Sequence, residues 1–332
     1  MRRIRTLDTI DATAGVPGSK SYTQRALVIA SLAEGESLLR GALISEDTTL
    51  LMEALRSLGA GITVSDTDIR ITGTGGRIRN PGKKIVLGNN GTALRFLTTL
   101  AVLGSGEVTL DGSDRLRQRP LQPLISALRG LGGACRSING SGCPPVVAGG
   151  GGLKGGRAVF TNARSSQYIS SLMIGAPYAK NNVTLELQGT TASRPYIEMT
   201  GEAMLHFGVE VTKGESGEYL VRAGQRYAGR EYLIEGDVSS ASYFFLAAAL
   251  RGGRVRVPDI NPGTLQGDIG LLEIMERLGC RVLRGPDWVE VTGGTFHTDD
   301  LRFDMGAMPD MVPTIAVLAA FRPGRTVIVG AG

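Results

Sequence analysis

A sequence that keeps one pattern of apolar runs and turn residues at a fixed period has to fold as a series of like units. Four times along these 332 residues an apolar helical run leads through a Gly or Asn turn into a strand-like run. A polar loop follows, then an amphipathic helix ending in Leu-Gly or Phe-Gly, then two short strands. The turn marks stand at Gly35, Gly106, Asn181, Gly253 and Gly324, at intervals of 71, 75, 72 and 71. The second helices stop at Leu58-Gly59, Leu131-Gly132, Phe207-Gly208 and Leu278-Gly279, at intervals of 73, 76 and 71. Gly just past the last apolar residue is a helix terminator. Two independent landmarks on one period define a βαβαββ unit of about 72 residues.

The two helices of a unit differ in kind. Leu50, Leu51, Ala54, Leu55 and Leu58 form one stripe with charges opposite, as do Leu121, Leu124, Ile125 and Leu128 after Pro120. Such helices cover a sheet and face water. The others are apolar nearly all round, as in Leu94, Phe96, Leu97, Leu100, Ala101, Val102 and Leu103, in Tyr243 to Leu250 and in Ile315 to Ala320, and are expected in the interior. Buried helices enclosed by sheets give an α+β chain of several units per globular domain. A fifth copy begins at Met308-Pro309-Asp310 and runs to Val329-Gly330 without its amphipathic helix and closing strands. The expectation is a chain whose C-terminal part is missing.

Each apolar helix is preceded by polar residues suited to binding or capping. The first has Pro17-Gly18-Ser19-Lys20-Ser21 and then Arg25, where free backbone N–H groups, the helix dipole and two cations favour an anion. It is not a P-loop, since Lys20 follows Ser19 and no Gly stands at the required upstream position. The second has Gly88-Asn89-Asn90-Gly91-Thr92, with Gly91 allowing close approach to the backbone. The third has Ser165-Ser166-Gln167, the fourth Asp237-Val238-Ser239-Ser240, and the fifth Pro309-Asp310. Units of one topology would bring these starts to a common face. Loops before the second helices add Arg115, Arg117 and Arg119, then Ser193-Arg194-Pro195-Tyr196. Arg119, just ahead of Pro120, is the best placed to grip a phosphate or carboxylate with its planar fork. Asp310 is an acid among helix starts that otherwise suit anions. It is either a plain N-cap or a carboxylate able to take a proton from a hydroxyl held against it.

Composition narrows the class. With 42% hydrophobic and 20% charged residues the chain reads as globular, and two domains are expected from its length. The start, Met1-Arg2-Arg3-Ile4-Arg5-Thr6-Leu7, has no apolar core of a secretory signal, and no stretch reaches the roughly 20 apolar residues of a membrane span. Cys135, Cys143 and Cys280 are too scattered for a disulfide framework or a zinc site, so a cytoplasmic location is expected. His206 and His297 have no ligand pattern around them, and no metal is expected. The net charge of +5 without interleaved aromatics argues against nucleic acid and suits small acidic substrates.

The motifs at 17–27, 88–92, Arg-Gln-Arg-Pro at 117–120, Ser-Ser-Gln at 165–167, Ser-Arg-Pro-Tyr at 193–196 and Pro-Asp at 309–310 resemble the 3-phosphoshikimate 1-carboxyvinyltransferase (EPSP synthase) family, in order over essentially the whole chain. The resemblance implies six βαβαββ units in two inside-out, barrel-like domains, with the last units missing here. It implies one domain over 15–228 and a second, incomplete one from 1–14 plus 229–332. The implied reaction moves the enolpyruvyl group of phosphoenolpyruvate to the 5-hydroxyl of shikimate 3-phosphate and releases phosphate, with no cofactor. Lys20 and Asp310 are the implied catalytic residues. Shikimate 3-phosphate would meet Lys20, Ser21, Arg25, Ser165, Ser166, Gln167, Ser193, Tyr196 and Asp310. Phosphoenolpyruvate would meet Lys20, Asn89, Gly91, Arg119 and Gln167. A monomer acting on small molecules, weakened by the missing part, is the expectation. The alternatives are a UDP-N-acetylglucosamine enolpyruvyl transferase, disfavoured by the lack of a Cys in 111–118, an RNA 3′-phosphate cyclase, disfavoured because neither His206 nor His297 sits at a suitable loop, and a ligand-binding fragment without activity.

Overall fold

The computed structural model describes residues 8–330, so the basic start read over Met1–Leu7 lies outside the described residues. The repeat is visible element by element. The first copy holds β1 (Asp11–Thr13), α1 (Lys20–Leu32), β2 (Glu36–Arg40), α2 (Glu46–Ser57), β3 (Gly61–Ser65) and β4 (Asp68–Thr72). The second holds β5 (Ile85–Val86), α3 (Gly91–Leu103), β6 (Glu107–Asp111), α4 (Gln122–Gly130), β7 (Cys135–Ser137) and β8 (Val146–Gly149). The third holds β9 (Gly156–Ala163), α5 (Ser166–Gly175), β10 (Val183–Thr191), α6 (Pro195–His206), β11 (Val211–Lys213) and β12 (Tyr219–Val221). The fourth holds β13 (Glu231–Leu233), α7 (Val238–Arg251), β14 (Arg254–Pro258), α8 (Leu271–Arg277), β15 (Arg281–Arg284) and β16 (Trp288–Thr292). The fifth shows β17 (Leu301–Asp304), α9 (Val312–Ala320) and β18 (Thr326–Val329).

Local chemistry sets the boundaries. Gly59, Gly132, Gly208 and Gly279 follow α2, α4, α6 and α8 at φ of 114°, 83°, 87° and 102°, a region that favours Gly. Helix α2 opens on a capping box in which Ser45 and Thr48 satisfy each other's backbone N–H. Helix α4 starts at Gln122, two residues later than Pro120 would have it; its N-cap Leu121 lies outside helical backbone at φ −129°, ψ −7°, and donates its N–H to the Gly142 carbonyl.

In each four-stranded sheet the first strand lies parallel to the second, and the last two are antiparallel. Where the first two strands come from one repeat, the helix between them makes the parallel pairing reachable. Two sheets, β5-β6-β8-β7 and β9-β10-β12-β11, take all their strands from one repeat. The other two exchange first strands: β13 pairs parallel with β2, and β1 pairs parallel with β14. The results are β13-β2-β4-β3 and β1-β14-β16-β15. The chain thus forms two compact units, Lys20–Ile234 and the residues up to Ser19 with those from Glu235 onward. The breaks fall after Ser19 and Ile234 rather than after 14 and 228. The Ser19 N–H donates to the Glu235 carbonyl at 2.8 Å and Gly18 bridges Gly236, while β13 stays on β2.

Within Lys20–Ile234 the interior helices are enclosed. Only Lys20 and Ser21 of α1, Thr92 and Leu103 of α3 and Gln167 of α5 fail to be buried. In the second unit, Val238, Phe245, Val257, Met275, Val289 and Leu318 anchor a separate core. There the expectation of helices enclosed on all sides fails. Tyr243 is 65% exposed on α7, and Val317 and Phe321, at α9 and just past it, are 43% and 68% exposed. These helices pack on one side only, and no element among the described residues covers the other. One interhelical contact recurs at the repeat spacing. The Thr99 and Ser171 hydroxyls meet at 2.5 Å between α3 and α5, and those of Ser242 and Thr314 meet at 3.1 Å between α7 and α9.

Candidate active site

The residues that interior helices leave unburied are first-turn polar residues, apart from Leu103, and in Lys20–Ile234 specific contacts tie these turns together. At the start of α1 the Lys20 ammonium is ion-paired with the Asp47 carboxylate of α2, a partner the sequence did not announce. The two side chains are 48% and 26% exposed, so the pair is in reach of solvent. Asp47 also links to the next helix start, its backbone carbonyl accepting from Asn90 Nδ2 at 2.9 Å. Asn90 caps α3 by accepting from the Ala93 N–H, which leaves Asn89 exposed beside it.

Arg25 lies one turn below Ser21 and is 2% exposed. Its guanidinium donates to Thr200 Oγ1 at 2.8 Å, to the Ser21 carbonyl at 3.0 Å and to the Tyr196 carbonyl at 3.1 Å. It also stands over the rings of Phe96 and Tyr196. Burial pulls its pKa down to about 10, still well above neutrality. Arg25 therefore joins α1 to α6 from below, and the half-buried Ser21 and Tyr196 stand above it. Ser193 precedes α6 at φ 55°, a left-handed conformation uncommon for Ser and frequent where a side chain is held for a purpose.

Gly91 opens α3 beneath two guanidiniums. A Cβ placed there would lie 2.7 Å from one terminal nitrogen of Arg119 and 2.8 Å from one of Arg95. Arg119 makes no side-chain hydrogen bond or ion pair among the described residues. Arg95 is 9% exposed and donates to Gln167 Oε1 at 2.7 Å. Gln167 in turn donates through Nε2 to Thr92 Oγ1 at 2.9 Å, so both ends of its amide are fixed. Arg95 Nε is buried without a partner. The guanidinium lies over the Tyr168 ring, whose hydroxyl donates to the Pro120 carbonyl at 2.8 Å, next to Arg119. Burial lowers the Arg95 pKa, and the neighbouring Arg119 charge pushes the same way. At α5, Ser165 caps by accepting from the Gln167 N–H, and Ser166 is buried.

The three arginines of the 115–119 loop separate into roles. Arg117 donates twice to the buried Asp111 carboxylate, at 2.9 Å each, and Lys84 donates to it at 3.0 Å. These bonds hold the Asp111 carboxyl well below the usual carboxylate range. Arg117 thus anchors the loop, Arg115 stays in solvent, and Arg119 is left half-buried over Gly91.

Asp310 belongs to the other compact unit. It sits exposed in the 3-10 turn Pro309–Met311, whose N-cap is Met308, so the plain capping role does not apply. In that unit Asp237 caps α7 by accepting from the Ser240 N–H, and the Ser239 hydroxyl donates to the buried Asp268. His206 is exposed at the end of α6 with its ring edge-on to Tyr232. Among the described residues no cluster of three His, Cys, Asp or Glu is placed to hold a metal.

Lys20, Ser21, Asn89, Gly91, Arg119, Ser165, Ser166, Gln167, Ser193 and Tyr196 thus lie on helix starts joined by direct contacts, with Arg25 beneath them. The residue missed from sequence is Arg95. Its signal was a lone cation between Leu94 and Phe96 in an otherwise apolar run.

The family model of EPSP synthase (3-phosphoshikimate 1-carboxyvinyltransferase) matches residues 4–332. A 3-phosphoshikimate 1-carboxyvinyltransferase of Methanosphaerula palustris is 45% identical over 326 residues, covering 97% of this chain and 76% of the relative. One from Trichormus variabilis is 40% identical over 321 residues, covering 96% and 75%. An EPSP synthase structure from Acinetobacter baumannii superposes with a TM-score of 0.80 at 24% identity, over 96% of this chain and 73% of that one, which speaks for the fold. The expectation of a missing C-terminal part draws no support from how fully this chain is matched.

Proposed function

The chain belongs to the EPSP synthase family, and from that premise we propose how its residues carry the transfer of an enolpyruvyl group from phosphoenolpyruvate to the 5-hydroxyl of shikimate 3-phosphate. The relatives' shared name favours this reaction over transfer to a UDP-sugar. The observation that carries the residue assignment is the convergence of two guanidiniums on Gly91, with both ends of Gln167 fixed beside them.

Both reactants are polyanions, and bringing them together costs Coulomb energy unless fixed cations offset it. Phosphoenolpyruvate binds over Gly91, between Arg119, Gln167 and Asn89. Shikimate 3-phosphate binds across Ser165, Ser166, Gln167, Ser193 and Tyr196, with Ser21 above Arg25. Lys20 exchanges Asp47 for ligand oxygens and serves both. Asp310 takes the proton of the 5-hydroxyl as that oxygen bonds to C2 of phosphoenolpyruvate, and C3 takes up a proton in exchange for the C2–C3 π bond. The tetrahedral intermediate then loses phosphate from C2 and a proton from the C3 methyl group, which restores the double bond. Positioning of this kind supplies on the order of 7–11 kcal/mol of barrier reduction.

A monomer in the cytoplasm remains our expectation, and light scattering tests the first part. No helix among the described residues is long and apolar enough to cross a membrane. The decisive experiment follows phosphate release with both substrates, beside calorimetry with shikimate 3-phosphate alone. Release that needs both substrates, with saturable binding of the second, is the expected result. Saturable binding without release would mean a ligand-binding chain instead.

A further inference from the structure

Arg95 has no role in the assignments above, yet its surroundings are unlike those of a structural arginine. It is nine-tenths buried in an apolar helix, its Nε has no partner, and its charge faces another guanidinium rather than a carboxylate. The two terminal nitrogens both approach the space over Gly91, so they lie within about 5.5 Å of each other. Like charges this close in a poorly hydrated place repel strongly. Neither Arg95 nor Arg119 has a carboxylate among its recorded side-chain hydrogen bonds or ion pairs. The free α3 N–H groups add positive potential to the same spot.

We propose that Arg95 is a positioning residue for the phosphoenolpyruvate subsite, holding Gln167 by its side-chain carbonyl and keeping Arg119 turned toward an arriving anion. The contacts divide that work. One arm of the guanidinium fixes Gln167, which is locked at its other end by Thr92. The flat face rests on Tyr168, which grips the backbone of Pro120 and so fixes the base of Arg119. The two facing like charges stress the subsite electrostatically, and an anion over Gly91 relieves both guanidiniums at once. The inference rests on the assigned reaction for the identity of that anion, but not for its charge.

The test compares Arg95→Met, Arg95→Lys and Arg119→Met with the parent chain. The readouts are melting temperature, KM for each substrate, and calorimetry with inorganic phosphate as the probe. Arg95→Met keeps the stack on Tyr168 and removes the charge. It is expected to raise KM for phosphoenolpyruvate tenfold or more, shift that for shikimate 3-phosphate by less than threefold, and leave the melting temperature unchanged or higher. Arg95→Lys keeps the charge without the fork and is expected to recover only part of the loss. Phosphate binding is expected to weaken at least tenfold in both Met variants. A phosphoenolpyruvate KM within threefold of the parent in Arg95→Met overturns the proposal. So does a lowered melting temperature with both substrates weakened alike and everything restored by Lys, the pattern of a purely structural arginine. If the parent releases no phosphate from the substrate pair while phosphate binding still falls in both Met variants, the reaction assignment fails and the Arg95 inference stands.

Discussion

The Lys20 ammonium is paired with the Asp47 carboxylate across the starts of α1 and α2, and both side chains are reachable by solvent. Exposed pairs of this kind contribute about 0–1 kcal/mol. On the proposed assignment of Lys20, Asp47 is a placeholder that a more highly charged phosphate displaces. Asp47→Asn is expected to change the melting temperature little and to bind shikimate 3-phosphate at least as tightly as the parent, by calorimetry. Lys20→Met is expected to lose at least a hundredfold in kcat/KM while remaining folded. Weakened ligand binding in Asp47→Asn would show that the carboxylate holds Lys20 in its working position.

Gly91 leaves no room for a methyl group beneath Arg119 and Arg95. Gly91→Ala must push one or both guanidiniums aside. The expected outcome is a rise of about tenfold or more in KM for phosphoenolpyruvate, or roughly 1.4 kcal/mol, with a smaller change for shikimate 3-phosphate. Steady-state kinetics with each substrate varied in turn would check this.

Asp111 is buried and accepts from Arg117, Lys84 and the Gly112 N–H. Asp111→Asn is expected to cost about 1–3 kcal/mol and to loosen the Arg119 loop. The pH dependence has a definite sign. A carboxyl whose folded pKa is depressed contributes its stability above its unfolded value near 4 and loses it as pH falls through the folded value. The stability gap between parent and Asp111→Asn should therefore shrink as pH drops below about 4. Denaturant melts at pH 7, 4 and 3 would measure it.

The Ser242–Thr314 hydroxyl pair is buried between two helices, and the Ser242 hydroxyl also donates to the Ser239 carbonyl at 2.7 Å. Thr314→Val removes one hydrogen bond while leaving Ser242 its carbonyl partner, and is expected to cost about 0.5–1.5 kcal/mol. With Ser242→Ala the two losses should not add, so a double-mutant cycle should show coupling of about 0.5 kcal/mol or more.

Much of this was legible in the residues themselves. The period emerged because helix ends need a left-handed Gly, and Gly59, Gly132, Gly208 and Gly279 supply it at matching places. The polar helix starts stood out because hydroxyls, amides and cations gather just ahead of runs that are otherwise mostly apolar. What stayed hidden depends on non-local pairing. Nothing near Glu231 announces that it will lie beside Leu38, so the strand exchange had no local signature. Arg95 was passed over because its neighbours Leu94 and Phe96 read as core. The open sides of α7 and α9 were invisible because an apolar helix looks the same whether or not something covers it.

The exchange of first strands has a consequence for how the chain emerges from a ribosome. The edge of β2 is closed by β13, and Glu231 follows its partner Leu38 by 193 residues. At roughly 5–20 residues per second, that edge stays open for about 10–40 s during synthesis. The nascent chain must pass through this interval with unsatisfied backbone groups on view, so chaperone demand should peak before residue 231 appears rather than after release.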